Sequence, residues 1–287
     1  MGRGLHQASK DILNAAYDIL EEIHPASVRA VCYKLFVRKL IPDMGKGSTG
    51  KVSTLLVRAR EDGSIPWEWI VDGSRAVQRV STWNNPKALM RGALHGYRLD
   101  FWKEQENRVH LIVEKETVAS TLRPVLDEFA VPVSFMKGFA SATAVNDLAE
   151  VIGESSKPMR LLYCGDYDPS GMYMSEEDLP ERIKRYGGGN VYFERIAINE
   201  DDTHAGLPSF PAADKTTDTR YEWFVKKYGP LCWELDALDP NDLRGRVRES
   251  IEIWIDHAAW DHAKMIEAAQ RESMESYFAK FPGGSLG

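Results

Sequence analysis

The sequence has few cysteines, no long apolar segment and no excess of positive charge. Its 287 residues include three cysteines, Cys32, Cys164 and Cys232, which lie far apart and form no CxxC pair. This spacing argues against a disulfide framework or a structural zinc site, and it is typical of a protein in a reducing cytoplasm. No run approaches the roughly 20 apolar residues of a membrane span, and no targeting signal is visible at the start. We therefore expect a cytoplasmic protein without a membrane partner.

The charge is divided unevenly along the chain. The total of 36 Lys and Arg against 43 Asp and Glu gives a net charge of −7, which by itself counts against a polyanionic partner. Residues 24–98, however, hold 13 basic and 5 acidic residues, whereas residues 106–287 hold 20 basic and 32 acidic residues. This asymmetry predicts a basic, nucleic-acid-binding module joined to an acidic one.

The first 105 residues have the order of a winged helix-turn-helix. Apolar residues recur at helical spacing over 10–23 and over 28–37, where Ser27 is the expected N-cap. A third, basic helix is expected over roughly 50–61, followed by extended structure over 65–71. This order predicts a DNA-binding domain over residues 1–105.

Basic residues flank or follow the third predicted helix. The glycine-rich stretch 45–50 is expected to be a loop whose backbone N–H groups approach phosphate. The predicted DNA contacts lie in this loop, along the third helix and after the extended segment 65–71, which would be the wing. They are Lys46, Lys51, Arg58, Arg60 and Arg75. On the second helix, Tyr33 lies off the apolar stripe and one turn after Arg29, so these two side chains share a face.

From about residue 106 strands alternate with helices, which predicts an α/β domain with a mainly parallel sheet over 106–287. A long loop is expected over 199–217, and residues 240–280 are expected to form a helical extension. The expected strands are 109–113, 131–135, 160–164, 191–198 and 231–235.

Three carboxylates follow two of these predicted strands. Glu114 ends one strand, and Asp166 and Asp168 follow another. Ligands of open α/β sheets bind beyond the carboxyl ends of the strands. Converging carboxylates repel one another unless a cation neutralises them, and hard oxygen ligands suit Mg²⁺. The sequence therefore predicts a magnesium site formed by these three residues.

Several motifs together resemble a known family. VEKE at 113–116, KGFASAT at 137–143 and GDYDPSG at 165–171 resemble the TOPRIM metal-binding domain of the topoisomerase VI A subunit, and ELDALDPNDL at 234–243 resembles that family's C-terminal region. The segment 27–33, SVRAVCY, resembles the family's nucleophile motif, although Cys32 stands where an aromatic residue is usual. The resemblance covers about residues 25–250. The family that the sequence resembles comprises the type IIB topoisomerases and the related meiotic double-strand-break transesterases.

The resemblance implies a fold, an activity and partners. The fold is an N-terminal winged helix-turn-helix domain followed by a TOPRIM-type α/β domain. Tyr33 matches the DNA-cleaving tyrosine and Arg29 its neighbouring arginine, while Glu114, Asp166 and Asp168 match the Mg²⁺ carboxylates. The implied activity is double-strand cleavage of DNA by transesterification in a homodimer. The implied partners are double-stranded DNA and a GHKL-type ATPase or SMC-like protein on another chain, with a nucleoid association in a prokaryote.

Two alternatives stay open. The first is a hydrolytic TOPRIM nuclease, similar to the Wadjet-type defence nuclease subunit, in which Tyr33 is structural and no covalent adduct forms. The second is a non-catalytic DNA-binding subunit of an ATPase complex.

Overall fold

The computed structural model describes residues 7–71, 82–136 and 141–280, which form two compact units. The larger unit contains described residues 7–71, 109–136 and 141–253, and the smaller contains 82–108 and 254–280. The predicted domains 1–105 and 106–287 rest on charge and motifs rather than on compactness, and they stay a prediction.

Helices predominate among the described residues. In chain order the helices are α1 (Gln7–Ile23), α2 (Val28–Val37), α3 (Lys46–Glu61), α4 (Pro86–Gly96), α5 (Glu116–Glu128), α6 (Ala142–Glu154), α7 (Pro169–Tyr173), α8 (Leu179–Arg185), α9 (Glu200–Thr203), α10 (Tyr221–Tyr228), α11 (Pro240–Glu252) and α12 (His257–Ala279). The strands are β1 (Ala26–Ser27), β2 (Ile70–Val71), β3 (Arg108–Val113), β4 (Val133–Phe135), β5 (Met159–Cys164), β6 (Val191–Ala197), β7 (Ser209–Pro211) and β8 (Leu231–Trp233).

Helices α1, α2 and α3 enclose an apolar core at the N-terminal end of the larger unit. Their apolar stripes pack against one another, and α1 and α2 confirm the helices predicted from the spacing of apolar residues. The predicted N-cap is also confirmed, because the Ser27 hydroxyl oxygen accepts a hydrogen bond of 3.0 Å from the Ala30 N–H.

The glycine-rich stretch 45–50 is helical, so its prediction as a loop was wrong. Helix α3 begins at Lys46, with Gly45 as its N-cap. Burial of Val52, Leu55 and Leu56 in the helical core stabilises this helix and outweighs the low helix propensity of glycine.

The extended structure predicted over 65–71 is limited to β2, which follows a 3-10 turn at Trp67–Trp69. β2 pairs in parallel with β1, with Ala26 opposite Ile70 and Ser27 opposite Val71. Through this pairing, the segment before α2 lies beside the segment after α3.

The predicted α/β class is confirmed by a parallel sheet with the strand order β4-β3-β5-β6. β3 and β5 are its central strands and are almost entirely buried, as expected for a parallel sheet covered on both faces. The chain leaves β3 towards β4 on one side and leaves β5 towards β6 on the other. The carboxyl ends of β3 and β5 therefore flank a topological switch point, where sheets of this class bind ligands.

The long loop predicted over 199–217 was wrong in part, because it contains α9, β7 and a 3-10 turn at Ala212–Lys215. β7 pairs antiparallel with β8, with Phe210 opposite Cys232. This pairing joins segments about 20 residues apart, which local composition does not reveal.

In the smaller unit α12 contacts the segment that follows α4. The Glu267 carboxylate accepts a hydrogen bond of 2.8 Å from the Leu99 N–H, and Arg271 donates to the carbonyl oxygen of Leu94 over 3.1 Å. Among the helices of the described ranges, none has the length and apolarity needed to cross a membrane.

Candidate active site

The three predicted metal carboxylates lie at the switch point of the sheet. Glu114 directly follows β3, and Asp166 and Asp168 lie in the turn between β5 and α7. Because β3 and β5 are adjacent and parallel, both of these segments emerge at the same edge of the sheet. The structure thus brings the three residues to one edge, as the strand pattern predicts.

The Glu114 carboxylate points towards the turn that carries both aspartates. The Tyr163 hydroxyl donates a hydrogen bond of 2.5 Å to Glu114 Oε1. A β-carbon at Gly165 would lie 2.1 Å from the same oxygen, and one at Gly171 would lie 2.7 Å from it. Burial, together with the charge of Asp166, raises the pKa of Glu114 to about 8. The carboxyl group therefore lies in a negative field that a cation would relieve.

Each aspartate of the turn forms an ion pair with the ammonium group of a lysine. Lys115 Nζ lies 3.1 Å from Asp166 Oδ2 and 3.1 Å from Asp236 Oδ2. Lys215 forms an ion pair with Asp168. Burial lowers the pKa of a lysine, but the neighbouring carboxylates outweigh burial here and hold the pKa of both lysines above the ordinary value.

Backbone N–H groups fix the orientation of both aspartates. Asp168 is the N-cap of α7, and its Oδ1 accepts a hydrogen bond of 2.7 Å from the Gly171 N–H. Asp166 Oδ1 accepts one of 2.8 Å from the Leu235 N–H. Both carboxylates are therefore held in place without a metal ion.

Arg195 on β6 ties the turn together through its guanidinium group. It donates to the carbonyl oxygens of Gly165 (2.8 Å), Asp166 (2.6 Å) and Gly171 (3.1 Å), and to Ser175 Oγ (2.8 Å). Sequence reasoning missed this residue, because nothing in its own strand indicates that its partners lie 20–30 residues earlier in the chain.

Tyr167, between the two aspartates, anchors the turn on its other side. Its buried ring makes edge contacts with Trp233, Tyr228 and Phe224, with ring centroids 5.6, 5.5 and 6.0 Å apart. Its backbone also pairs with Trp233 through two hydrogen bonds of 2.8 and 3.0 Å. The aspartates and Tyr167 therefore point to opposite sides, as alternation along an extended segment requires.

The chemistry of this donor set fits Mg²⁺. The side chains are hard carboxylate oxygens, and the lack of a β-carbon at Gly165 and Gly171 lets the Glu114 carboxylate pack against the turn that carries both aspartates. In the ranges that the structure describes, however, no three His, Cys, Asp or Glu side chains are arranged to hold one ion. The lysine ion pairs take oxygens that a metal ion would use.

Helix α2 contacts the acidic segment 234–239, which we call the acidic support. Ser27 Oγ donates a hydrogen bond of 2.7 Å to Asp236 Oδ1. Sequence reasoning connected this segment with the family but missed its contacts. The two ion pairs between the helix and the segment are Arg29–Glu234 and Lys34–Asp239.

Replacing Ser27 with alanine is expected to lower the free energy of unfolding by about 2 kcal/mol, because it removes an N-cap and a buried bond to a carboxylate. The matched control is Ser141→Ala, which removes the N-cap bond of α6 to the Ala144 N–H at an exposed position. It is expected to cost about 1 kcal/mol. Urea unfolding measures both values; equal losses would show that the contact with Asp236 contributes no stability.

The structure places Tyr33 beside Arg29 on α2 and buries its side chain. It is only 5% exposed, and the Arg29 guanidinium lies 5.7 Å from its ring centroid. Burial, together with the negative charge of Glu234, raises the pKa of Tyr33 to about 12, although Arg29 acts in the opposite direction. Arg29 also forms an ion pair with Glu234.

A cleft of about 460 Å³ lies between α2 and the carboxyl edge of the sheet. It brings predicted residues of both halves of the chain to one surface. Its lining contains Arg29, Lys115, Asp166, Glu234 and Asp236.

The predicted DNA contacts divide into three groups. Lys46, Lys51 and Arg58 are exposed along α3. Arg60 is buried, with its guanidinium 4.8 Å from the centroid of the Trp67 ring. Arg75 lies outside the described residues, as do residues 137–140 of the KGFASAT motif.

The chain matches no family model, and it matches no curated protein.

Proposed function

We propose that this protein is a Mg²⁺-dependent, DNA-cleaving homodimer in which a winged-helix part of the larger unit is joined to a TOPRIM-type part. The observation that carries the proposal is the position of Glu114, Asp166 and Asp168 at the switch point of a parallel sheet. Burial and, after it, the charge of Asp166 raise the pKa of Glu114, and the oxygen atoms of these carboxylates are of the kind that suits a divalent cation.

The residues of the site have separate tasks in phosphodiester cleavage. Glu114, Asp166 and Asp168 would hold Mg²⁺, which when bound supplies charge stabilisation at a phosphoryl oxygen. Arg195 and Tyr167 keep the aspartate turn rigid through their contacts with it. Arg29 and Lys115 line the cleft together with Asp166, Glu234 and Asp236, so a phosphate group in that space would need the additional positive charge of a bound metal ion.

The leading route is transesterification, as the family resemblance implies. The Tyr33 oxygen attacks the phosphorus atom, the bond to the leaving 3′ oxygen breaks, and a 5′-phosphotyrosyl bond forms. The phenol proton passes by way of water to the leaving 3′ oxygen, which departs as a hydroxyl group. In the homodimer Tyr33 of one protomer would act at the acidic cluster of the other, which consists of Glu114, Asp166 and Asp168, so that two sites cut both strands. An ATPase on another chain would drive any strand passage.

The second route is hydrolysis, in which water attacks and Tyr33 is structural. The burial of Tyr33 and its raised pKa favour this route, because a buried neutral phenol is a weak nucleophile. Under either route the exposed basic residues of α3 would contact the DNA backbone, so binding should weaken with salt.

One experiment tests the proposal and separates the routes. Supercoiled plasmid is incubated with the protein and Mg²⁺, and the reaction is stopped with SDS, with and without protease. We expect wild-type protein to produce linear DNA. The rate of its formation should fall by at least about 100-fold in Glu114→Ala and Asp166→Asn, because the bound metal ion lowers the activation barrier by several kcal/mol. Glu116→Ala, an exposed carboxylate two residues away, is the matched control and should cut normally.

The tyrosine is tested in the same assay. Ends that need protease to be released, and that disappear in Tyr33→Phe, support transesterification. Free ends that survive Tyr33→Phe support hydrolysis, with Tyr17→Phe as a control at a more exposed tyrosine. Intact plasmid with DNA binding retained would contradict the enzymatic proposal and leave a DNA-binding subunit.

A further inference from the structure

Two lysines from different parts of the chain meet the aspartate turn. Lys115 follows Glu114 after β3, whereas Lys215 ends the 3-10 turn that follows β7. Each ammonium group contacts a carboxylate proposed to hold Mg²⁺, and each lysine side chain is about one third exposed. Both lysine side chains are therefore partly open to solvent.

A metal ion and these ammonium groups need the same oxygens. Lys215 binds Asp168 Oδ2, while the other oxygen of Asp168 is occupied by the N–H of Gly171. Lys115 lies 3.2 Å from Asp166 Oδ1 and 3.1 Å from Asp166 Oδ2. A divalent cation bound to either aspartate would also repel the adjacent ammonium group.

We infer that Lys115 and Lys215 are internal counter-cations of the acidic cluster, which hold its carboxylates together without metal and are displaced when a divalent ion binds. The inference rests on the proposed metal site and adds a regulatory property to it. The lysines set the metal concentration at which the site fills. They also keep the aspartate turn in place while the site is empty of metal.

The test is direct measurement of Mn²⁺ binding, with Mn²⁺ as the probe ion and the free-ion signal in electron paramagnetic resonance as the readout. Lys215→Met keeps most of the length of the side chain and removes its charge. We expect it to bind Mn²⁺ roughly fivefold more tightly than wild type, which corresponds to about 1 kcal/mol, because the ammonium group that pairs with the buried Asp168 no longer competes. Lys115→Met should act in the same direction. Unfolding midpoints measured without metal should fall in both variants, and added Mn²⁺ should raise them more than in wild type.

The controls separate this inference from the proposed function. Lys227→Met removes a lysine that pairs with Glu176 outside the cluster and should leave Mn²⁺ affinity unchanged. Glu114→Ala should abolish binding at the site; wild-type protein that binds no Mn²⁺ would overturn the metal site itself. If wild type binds Mn²⁺ and both lysine variants bind it with equal or weaker affinity, the proposed displacement of the lysines is overturned, while the metal site itself stands.

Discussion

Replacing Gly171 with alanine is expected to lower the free energy of unfolding by about 3 kcal/mol and to abolish binding of a divalent ion. A β-carbon at this position would lie 2.3 Å from the carbonyl oxygen of Asp166 and 2.7 Å from Glu114 Oε1. The first of these neighbours is backbone, which Arg195 holds through a hydrogen bond of 2.6 Å. It cannot move without moving the aspartate turn, so both stability and metal affinity are expected to fall.

Gly245→Ala is the matched control for this prediction. Gly245 lies inside α11, and a β-carbon there would meet nothing within 4 Å. Alanine should stabilise that helix by about 0.5–1 kcal/mol. Urea unfolding and Mn²⁺ binding are measured for both variants. A Gly171→Ala protein with wild-type stability would show that the turn is looser than its contacts indicate.

The second large effect is a pH dependence of stability that originates at His110. This β3 residue is 5% exposed, and its Nε2 lies 2.8 Å from Ser134 Oγ. Burial lowers its pKa to about 4, whereas an unfolded histidine has a pKa of about 6.5. Below pH 6.5 the unfolded chain therefore gains a proton that the native protein does not. Stability should fall by about 3 kcal/mol between pH 7 and pH 4 for this reason.

His110→Gln removes the titrating group and keeps a polar side chain opposite Ser134. Its free energy of unfolding, measured with urea, should approach that of wild type as the pH falls from 7 to 4, by about 3 kcal/mol in total. His262→Gln removes an exposed histidine of α12 and should keep a constant difference from wild type. A constant difference for His110→Gln as well would contradict the burial of a neutral ring.

Elements with a local signal were predictable from the sequence. The apolar period of 28–37 and the hydroxyl of Ser27 predict α2 and its start, because both depend on residues within one or two turns. The buried apolar runs before Glu114 and Asp166 predict β3 and β5, and the position of the carboxylates at the sheet edge follows from them. The start of α3 was missed because packing of Leu55 and Leu56 outweighs local glycine content.

The environment of each site residue was not predictable in the same way. Burial raises the pKa of Tyr33, and so does Glu234, which lies about 200 residues later and pairs with Arg29. Spacing along a helix reports which side chains share a face, but it does not report what covers that face. For the same reason the lysine of VEKE was visible in the motif, whereas its contacts with Asp166 and Asp236 were not.

The acidic support connects the tyrosine helix with the metal carboxylates through three consecutive residues. The Leu235 N–H holds Asp166, while the side chains on either side of it, Glu234 and Asp236, hold α2. Within one protomer, the separation between α2 and the aspartate turn therefore depends on this tripeptide. Inserting or deleting one residue there would change that separation, even if the helical core and the sheet kept their own packing.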